Sequence, residues 1–173
     1  MASALENILL NSYKNEMVAF IKTHPQFVDE ALELAITNKQ PFSWRAAWLL
    51  SSVIEKNDKR LKPYVSNILN RLPEFRDGHQ RELLSLLQLM DLNEVDEGRL
   101  FDVAFTIWER IGSRPSVRYT ALRIILNMAD KYPELAREIA FLMQPQYLET
   151  LSPGIKRAVM RLGNEMAGQQ YNT

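Results

Sequence analysis

Four basic residues recur at one register of the chain: Arg45, Arg81, Arg118 and Lys156, separated by 36, 37 and 38 positions. Each lies near the start of an apolar helical run. In a fold that repeats with this period they would stand in a row, on the order of 10 Å apart, the usual spacing of packed helices. Such a row could hold an acidic peptide. The structural alternative is that each side chain hydrogen-bonds carbonyls or an acidic group of a neighbouring repeat while its aliphatic stem covers core. Arg110, Arg114, Arg118 and Arg123 also form a local basic cluster. Trp44 and Trp48, at i and i+4, share a helix face that could stack on a base. Tryptophans so placed more commonly fill the core between helices, because each buries a large apolar area. The candidate partner-binding residues are therefore Arg45, Arg81, Arg118, Arg123 and Lys156.

The remaining chemistry is sparse. His24 and His79 stand beside helix starts, and neither has a second ligand at the i, i+4 spacing of a helical zinc site. They read as solvated or local capping residues. Asp29, Glu30 and Glu33, and Glu94, Asp96 and Glu97, could supply an acid and a base. Both groups fall in first helical turns or on exposed faces, where negative charge favours the helix N-terminus, so they read as solvated surface. The six glycines form no phosphate-cradling pattern, and there is no cysteine to serve as nucleophile, disulfide partner or thiolate ligand. No catalytic residue, cofactor or metal is expected. Twenty-one Lys and Arg balance twenty-one Asp and Glu. A dedicated nucleic-acid binder carries a positive surplus, so nucleic acid is not the expected partner.

These residues must be held by helices. Apolar positions recur every three or four residues, and no stretch alternates with period two. Proline and glycine cut the pattern into helices near 3–22 (broken around Asn11 and Ser12), 25–38, 41–56, 59–72, 78–91, 95–111, 115–131, 133–144 and 153–166. Ser152 before Pro153 offers a capping hydroxyl, and Asn93 with Asp96 forms a loose capping box. The tail from 167 to 173 has nothing to bury and is expected to fray. The N-terminus does not read as a secretory signal, and the apolar runs fall far short of the ~20 residues that span a bilayer. A cytoplasmic protein without membrane association is expected, as a monomer or weak homo-oligomer.

The helices also repeat. Ala47, Leu50 and Val53 in one copy correspond to Leu83, Leu86 and Leu89 in the next. Val28, Ala31, Leu32 and Ala35 correspond to Val65, Ile68, Leu69 and Leu72, then to Phe101, Ala104, Phe105 and Trp108. A period of about 37 residues with two helices per copy is the mark of an α-solenoid, in which stacking completes the core. The expected fold is an all-α superhelix, a right-handed solenoid of about four helix pairs at 25–56, 59–91, 95–131 and 133–166, with N-terminal capping helices at 3–22. With 173 residues the chain can bury about 70% of its unfolded surface as one domain.

The segment SVRYTALRIILNMADKYPEL resembles the second helix of a HEAT repeat, with an apolar residue, a basic one, then Ala and Leu at Val117, Arg118, Ala121 and Leu122. PFSWRAAWLLSSVIEKN is a degenerate second copy. With YVSNILNRLPEF and HQRELLSLLQLM, these segments also resemble small bacterial HEAT-like proteins, and the resemblance covers residues 25 to about 166. It implies a non-catalytic scaffold that binds a protein or peptide partner on a concave helical face. The alternative is a HEAT-like DNA glycosylase or nucleic-acid-binding protein, a class that places basic and aromatic residues on such a face. The acidic residue that HEAT repeats often carry between their helices is not evident before Arg45 or Arg118.

Overall fold

The computed structural model describes residues 2–170, and all of their side chains except those of residues 136, 166, 167, 169 and 170. The described residues form eleven α-helices and three short 3₁₀ turns, with no strand. The chain divides into two compact units, Met1–Asp96 and Glu97–Thr173.

The first unit holds α1 (Ala4–Asn11), α2 (Lys14–Thr23), α3 (Phe27–Ala35), α4 (Phe42–Leu50), α5 (Val65–Arg71) and α6 (Asp77–Leu87). The break between α1 and α2 falls at Ser12 and Tyr13, as the sequence suggests. Helix α1 starts on a reciprocal cap: the Glu6 N–H donates to Ser3 Oγ, and the Ser3 N–H donates to the Glu6 carboxylate. Helix α4 packs on α3 and α6, and α1 and α2 also lie against it. Its buried residues are Ser43, Ala46, Ala47, Leu49 and Leu50, with small side chains in three of the five positions.

Three expected helices are shorter than their apolar pattern. Helix α4 stops at Leu50 rather than at 56, where two consecutive serines turn their hydroxyls back onto Trp48 O, at 2.8 Å and 3.3 Å. Such back-bonding competes with the helical ladder. The chain beyond reverses at Asn57, whose φ of 57° lies in the left-handed region that asparagine tolerates. The Asn57 N–H donates to Leu89 O at 2.8 Å. Helix α5 is trimmed at both ends by 3₁₀ turns that hold Pro63 and Pro73. Helix α6 ends at Leu87, and the residues after it tighten into i→i+3 bonds. The apolar register still holds across the copies. Val28, Ala31, Leu32 and Ala35 are buried, as are Val65, Ile68, Leu69 and Leu72.

Helix α7 (Glu94–Glu109) starts where the first unit ends, and α8 (Pro115–Lys131), α9 (Ala136–Leu142), α10 (Pro145–Leu148) and α11 (Pro153–Gln170) follow in the second. Asn93 caps α7 as expected: the Asp96 N–H donates to Asn93 Oδ1 at 2.9 Å, and Asn93 Nδ2 donates back to Asp96 at 3.0 Å. The Ile155 N–H reaches Ser152 Oγ at 3.4 Å at the start of α11. Helices α9 and α11 both pack on α8. The short α10, begun by Pro145, is absent from the sequence reading. Helix α11 runs on to Gln170, four residues past the expected end, so residues 167–170 of the expected frayed tail are helical. Residues 171–173 of that tail lie outside the described residues.

Candidate interaction surface

Helix α4 presents two faces. Ser43, Ala46, Ala47, Leu49 and Leu50 are its buried positions, and Trp44, Arg45 and Trp48 occupy the rest of its circumference. Both tryptophans are half-buried, packed on neighbouring residues with part of each left exposed. Their rings lie parallel, 3° apart in tilt, with centroids 5.9 Å apart. Trp44 leans on the start of α6, where a Cβ added to Gly78 would sit 3.4 Å from its Nε1.

Two cations gather at Trp48. Lys14 Nζ, from the first turn of α2, stands 5.1 Å from the ring centroid, and Arg45 Cζ stands 6.0 Å from it. Both distances are in cation–π range. Arg45 Nη2 also donates to Ser12 O at 2.9 Å and lies 3.8 Å from Met17 Sδ. Its Nε is buried without a hydrogen-bond partner. No ion pair joins Lys14 or Arg45 to a carboxylate among the described residues. Beside Lys14, Tyr13 is 85% exposed and Leu10 is 53% exposed. Glu16 and Glu82 make no ion pair with either cation. Glu16 accepts the Tyr13 N–H at 2.7 Å. Glu82 is buried, pairs with Arg81, and lies 2.9 Å from Ser51 Oγ.

The repeated cations therefore occupy four different settings. Arg45 is half-buried against α1 and α2, and Arg81 is half-buried and neutralised by Glu82. In the second unit, Lys156 and Arg123 are exposed. Arg118 is 0% exposed. Its Nε donates to Trp108 O at 2.9 Å, its Nη1 to Thr150 Oγ1 at 3.0 Å and its Nη2 to Tyr147 O at 2.7 Å. Its guanidinium lies 4.6 Å from the Trp108 ring centroid. The Trp108 Nε1–H in turn donates to Leu142 O at 2.9 Å. Burial pushes the Arg118 pKa down, but arginine remains a cation in proteins. At this position the structural alternative holds: the fork is spent on backbone and hydroxyl acceptors, and no donor is turned to solvent.

The two histidines also separate. His24 closes the end of α2 rather than beginning a helix, is exposed, and stacks on Phe20 at 4.6 Å. His79 is not solvated. It is 2% exposed, with Nε2 2.7 Å from Ala35 O and Nδ1 3.3 Å from Gln40 Nε2. That pairing requires Nε2–H to donate and Nδ1 to accept, which is the neutral ring. Burial holds its pKa below the ordinary 6.5, against the opposing bond to Ala35. The stability it contributes is present in full above pH 6.5. It is lost as pH falls, because the unfolded chain takes up a proton that the folded ring resists. The urea midpoint is therefore expected to fall between pH 7 and pH 5, and His79→Gln should flatten that slope. The carboxylates held low by their partners act only under more acidic conditions: Glu6 by Lys39, Glu97 by Lys131 and then Tyr132, and Asp58 by Arg60. An equal slope in the variant would assign the pH dependence to other groups.

Among the described residues no group of three or more His, Asp or Glu could hold a metal ion. Helix by helix, none is long and apolar enough to cross a membrane among the same residues. Asp29 and Glu33 are exposed on α3, and Glu97 is bonded to Lys131 and Tyr132. Comparison with known proteins finds one family, described as a HEAT repeat domain, matching residues 1–166. No curated protein and no solved structure matches the chain.

Proposed function

The chain belongs to the HEAT-repeat family, and from that premise we propose that it is a non-catalytic scaffold that binds a protein partner on the face lined by its second helices. That face is the concave one in HEAT stacks generally. The observation that carries this reading is the Trp44–Trp48 pair. Two large aromatic rings are held half-buried and parallel, and aromatic residues dominate the centres of protein interfaces. HEAT repeats commonly mediate protein interactions, and among the described residues no group of three or more His, Asp or Glu could hold a metal ion. The glycosylase alternative loses one member of its basic cluster, Arg118, whose donors are internally spent, while Arg110, Arg114 and Arg123 are exposed; the balanced net charge weighs against it. A cysteine-free chain suits a reducing compartment, and we place the protein in the cytoplasm on that ground.

Capture of partners from the native cell by the full chain tests this. Trp48→Ala is expected to lose the partner by at least tenfold in affinity, the cost of about 1.4 kcal/mol or more at an interface centre. Its helical signal and melting temperature should stay near those of the parent. Arg123→Ala, on an exposed face of α8, should retain the partner. Equal capture by Trp48→Ala and the parent would remove the aromatic face from the reading.

A further inference from the structure

The Trp48 face does more than offer apolar area, because its charge is unbalanced. Lys14 and Arg45 both approach one ring and neither has a carboxylate partner among the described residues. Glu82 is paired with Arg81 and bonded to Ser51, while Glu16 accepts only the Tyr13 N–H and keeps its single negative charge against the two cations. A π-face attracts a cation but does not cancel its charge. Exposed Tyr13 and Leu10 extend the apolar area beside Lys14.

We propose that this surface binds an acidic linear segment of a partner protein, with carboxylates facing Lys14 and Arg45 and an apolar side chain packed on Trp48 and Tyr13. The inference rests on the scaffold reading above and names the chemistry of the partner. Charge selects a peptide over a nucleic acid. Two cations match two carboxylates, whereas a strand tracked by its phosphates needs a longer basic path, and the chain as a whole carries no positive surplus. The site also differs from the row of four cations suggested by the repeat. Two of those cations are neutralised or buried, while Lys14, which stands outside the repeat pattern, is part of it.

The tryptophans report the binding directly. Of the three in the chain, Trp108 is buried with its Nε1–H on Leu142 O, so fluorescence changes on adding a ligand come chiefly from Trp44 and Trp48. The probes are a short synthetic peptide with glutamates around a central phenylalanine, its glutamine-for-glutamate twin, and oligothymidylate, each titrated into the full chain. The acidic peptide is expected to shift the emission and saturate, and the glutamine twin to bind roughly tenfold more weakly or worse. Affinity should fall with added salt as the exposed pairs are screened. Lys14→Gln should weaken the acidic peptide several-fold and leave the twin unchanged. Its ammonium makes no hydrogen bond in the fold, so the variant remains folded even if Arg45→Gln does not.

Equal binding of the two peptides would overturn the acidic segment, as would binding of oligothymidylate alone or of no probe. The scaffold reading would still stand in each case if Trp48→Ala abolished capture of the cellular partner. It would fall separately if that variant captured the partner unchanged.

Discussion

Arg118→Ala is expected to lower the melting temperature on the order of 10 °C, the largest effect of any arginine substitution in the chain. Arg118 is fully buried and gives three hydrogen bonds to Trp108 O, Thr150 Oγ1 and Tyr147 O. Truncation leaves the buried Trp108 O and the part-buried Tyr147 O short of a donor and opens a cavity against the Trp108 ring. Each unsatisfied group costs about 1–3 kcal/mol, and a loss of 1 kcal/mol shifts the midpoint by roughly 2–4 °C in a chain of this size. Arg118→Lys should recover little, because a single ammonium on a shorter stem cannot span three acceptors that a planar fork reaches. Arg118→Met separates the contributions: it restores much of the volume without the donors, so a partial recovery measures packing alone. Arg123→Ala, exposed on the same helix, should change stability by no more than about 0.5 kcal/mol. If the Arg118 and Arg123 variants melted together, the buried fork would hold nothing in place.

The same residue shows where sequence reasoning stops. Arg45, Arg81, Arg118 and Lys156 are related by a period that is plain in the chain, and the period finds the register of the helices correctly. It does not find the setting of each cation. Arg118 is enclosed because Tyr147 and Thr150, some thirty positions further on, turn their oxygens toward it. No local pattern carries that information. Arg81 differs from Arg45 chiefly because Glu82 follows it and Ala46 follows Arg45, a one-residue difference that is visible in the chain.

The tryptophans carry a second lesson. Their area points to core and their i, i+4 spacing places them on one helix face, but the fully buried set of α4 is Ser43, Ala46, Ala47, Leu49 and Leu50, and both rings are only half-buried. The approach of Lys14 to Trp48 is not legible in the chain, since it depends on how α2 lies against α4. Helix ends were lost for a third reason: hydroxyl back-bonding at Ser51 and Ser52 and 3₁₀ tightening around Pro63 and Pro73 act on the backbone, and an apolar period continues straight through them.

Leu86→Ala is expected to cost roughly 2–5 kcal/mol, the range for deleting a leucine side chain from a packed core. Leu86 is 0% exposed on α6, between buried Leu83 and Leu87, and α6 packs on α4. It corresponds by the repeat to Leu50, which is equally buried at the end of α4. Leu50→Ala should therefore fall in the same range, and a cost of less than about 1 kcal/mol at either position would mean that its neighbours collapse into the space. Val53 and Leu89, the next corresponding pair, lie beyond the ends of their helices and are half-buried, so Leu89→Ala should cost less than Leu86→Ala. Calorimetry of these variants beside Arg118→Ala also bears on domain organisation. Reading residues 1–173 as a single domain expects Leu86→Ala, in the first compact unit, to lower the same transition that Arg118→Ala lowers from the second. Two transitions, each moved by only one of the substitutions, would assign the units separate stabilities. In that event Trp44 and Trp48 would depend for their placement on the first unit alone, and Leu86→Ala, but not Arg118→Ala, would lower the temperature at which peptide binding is lost.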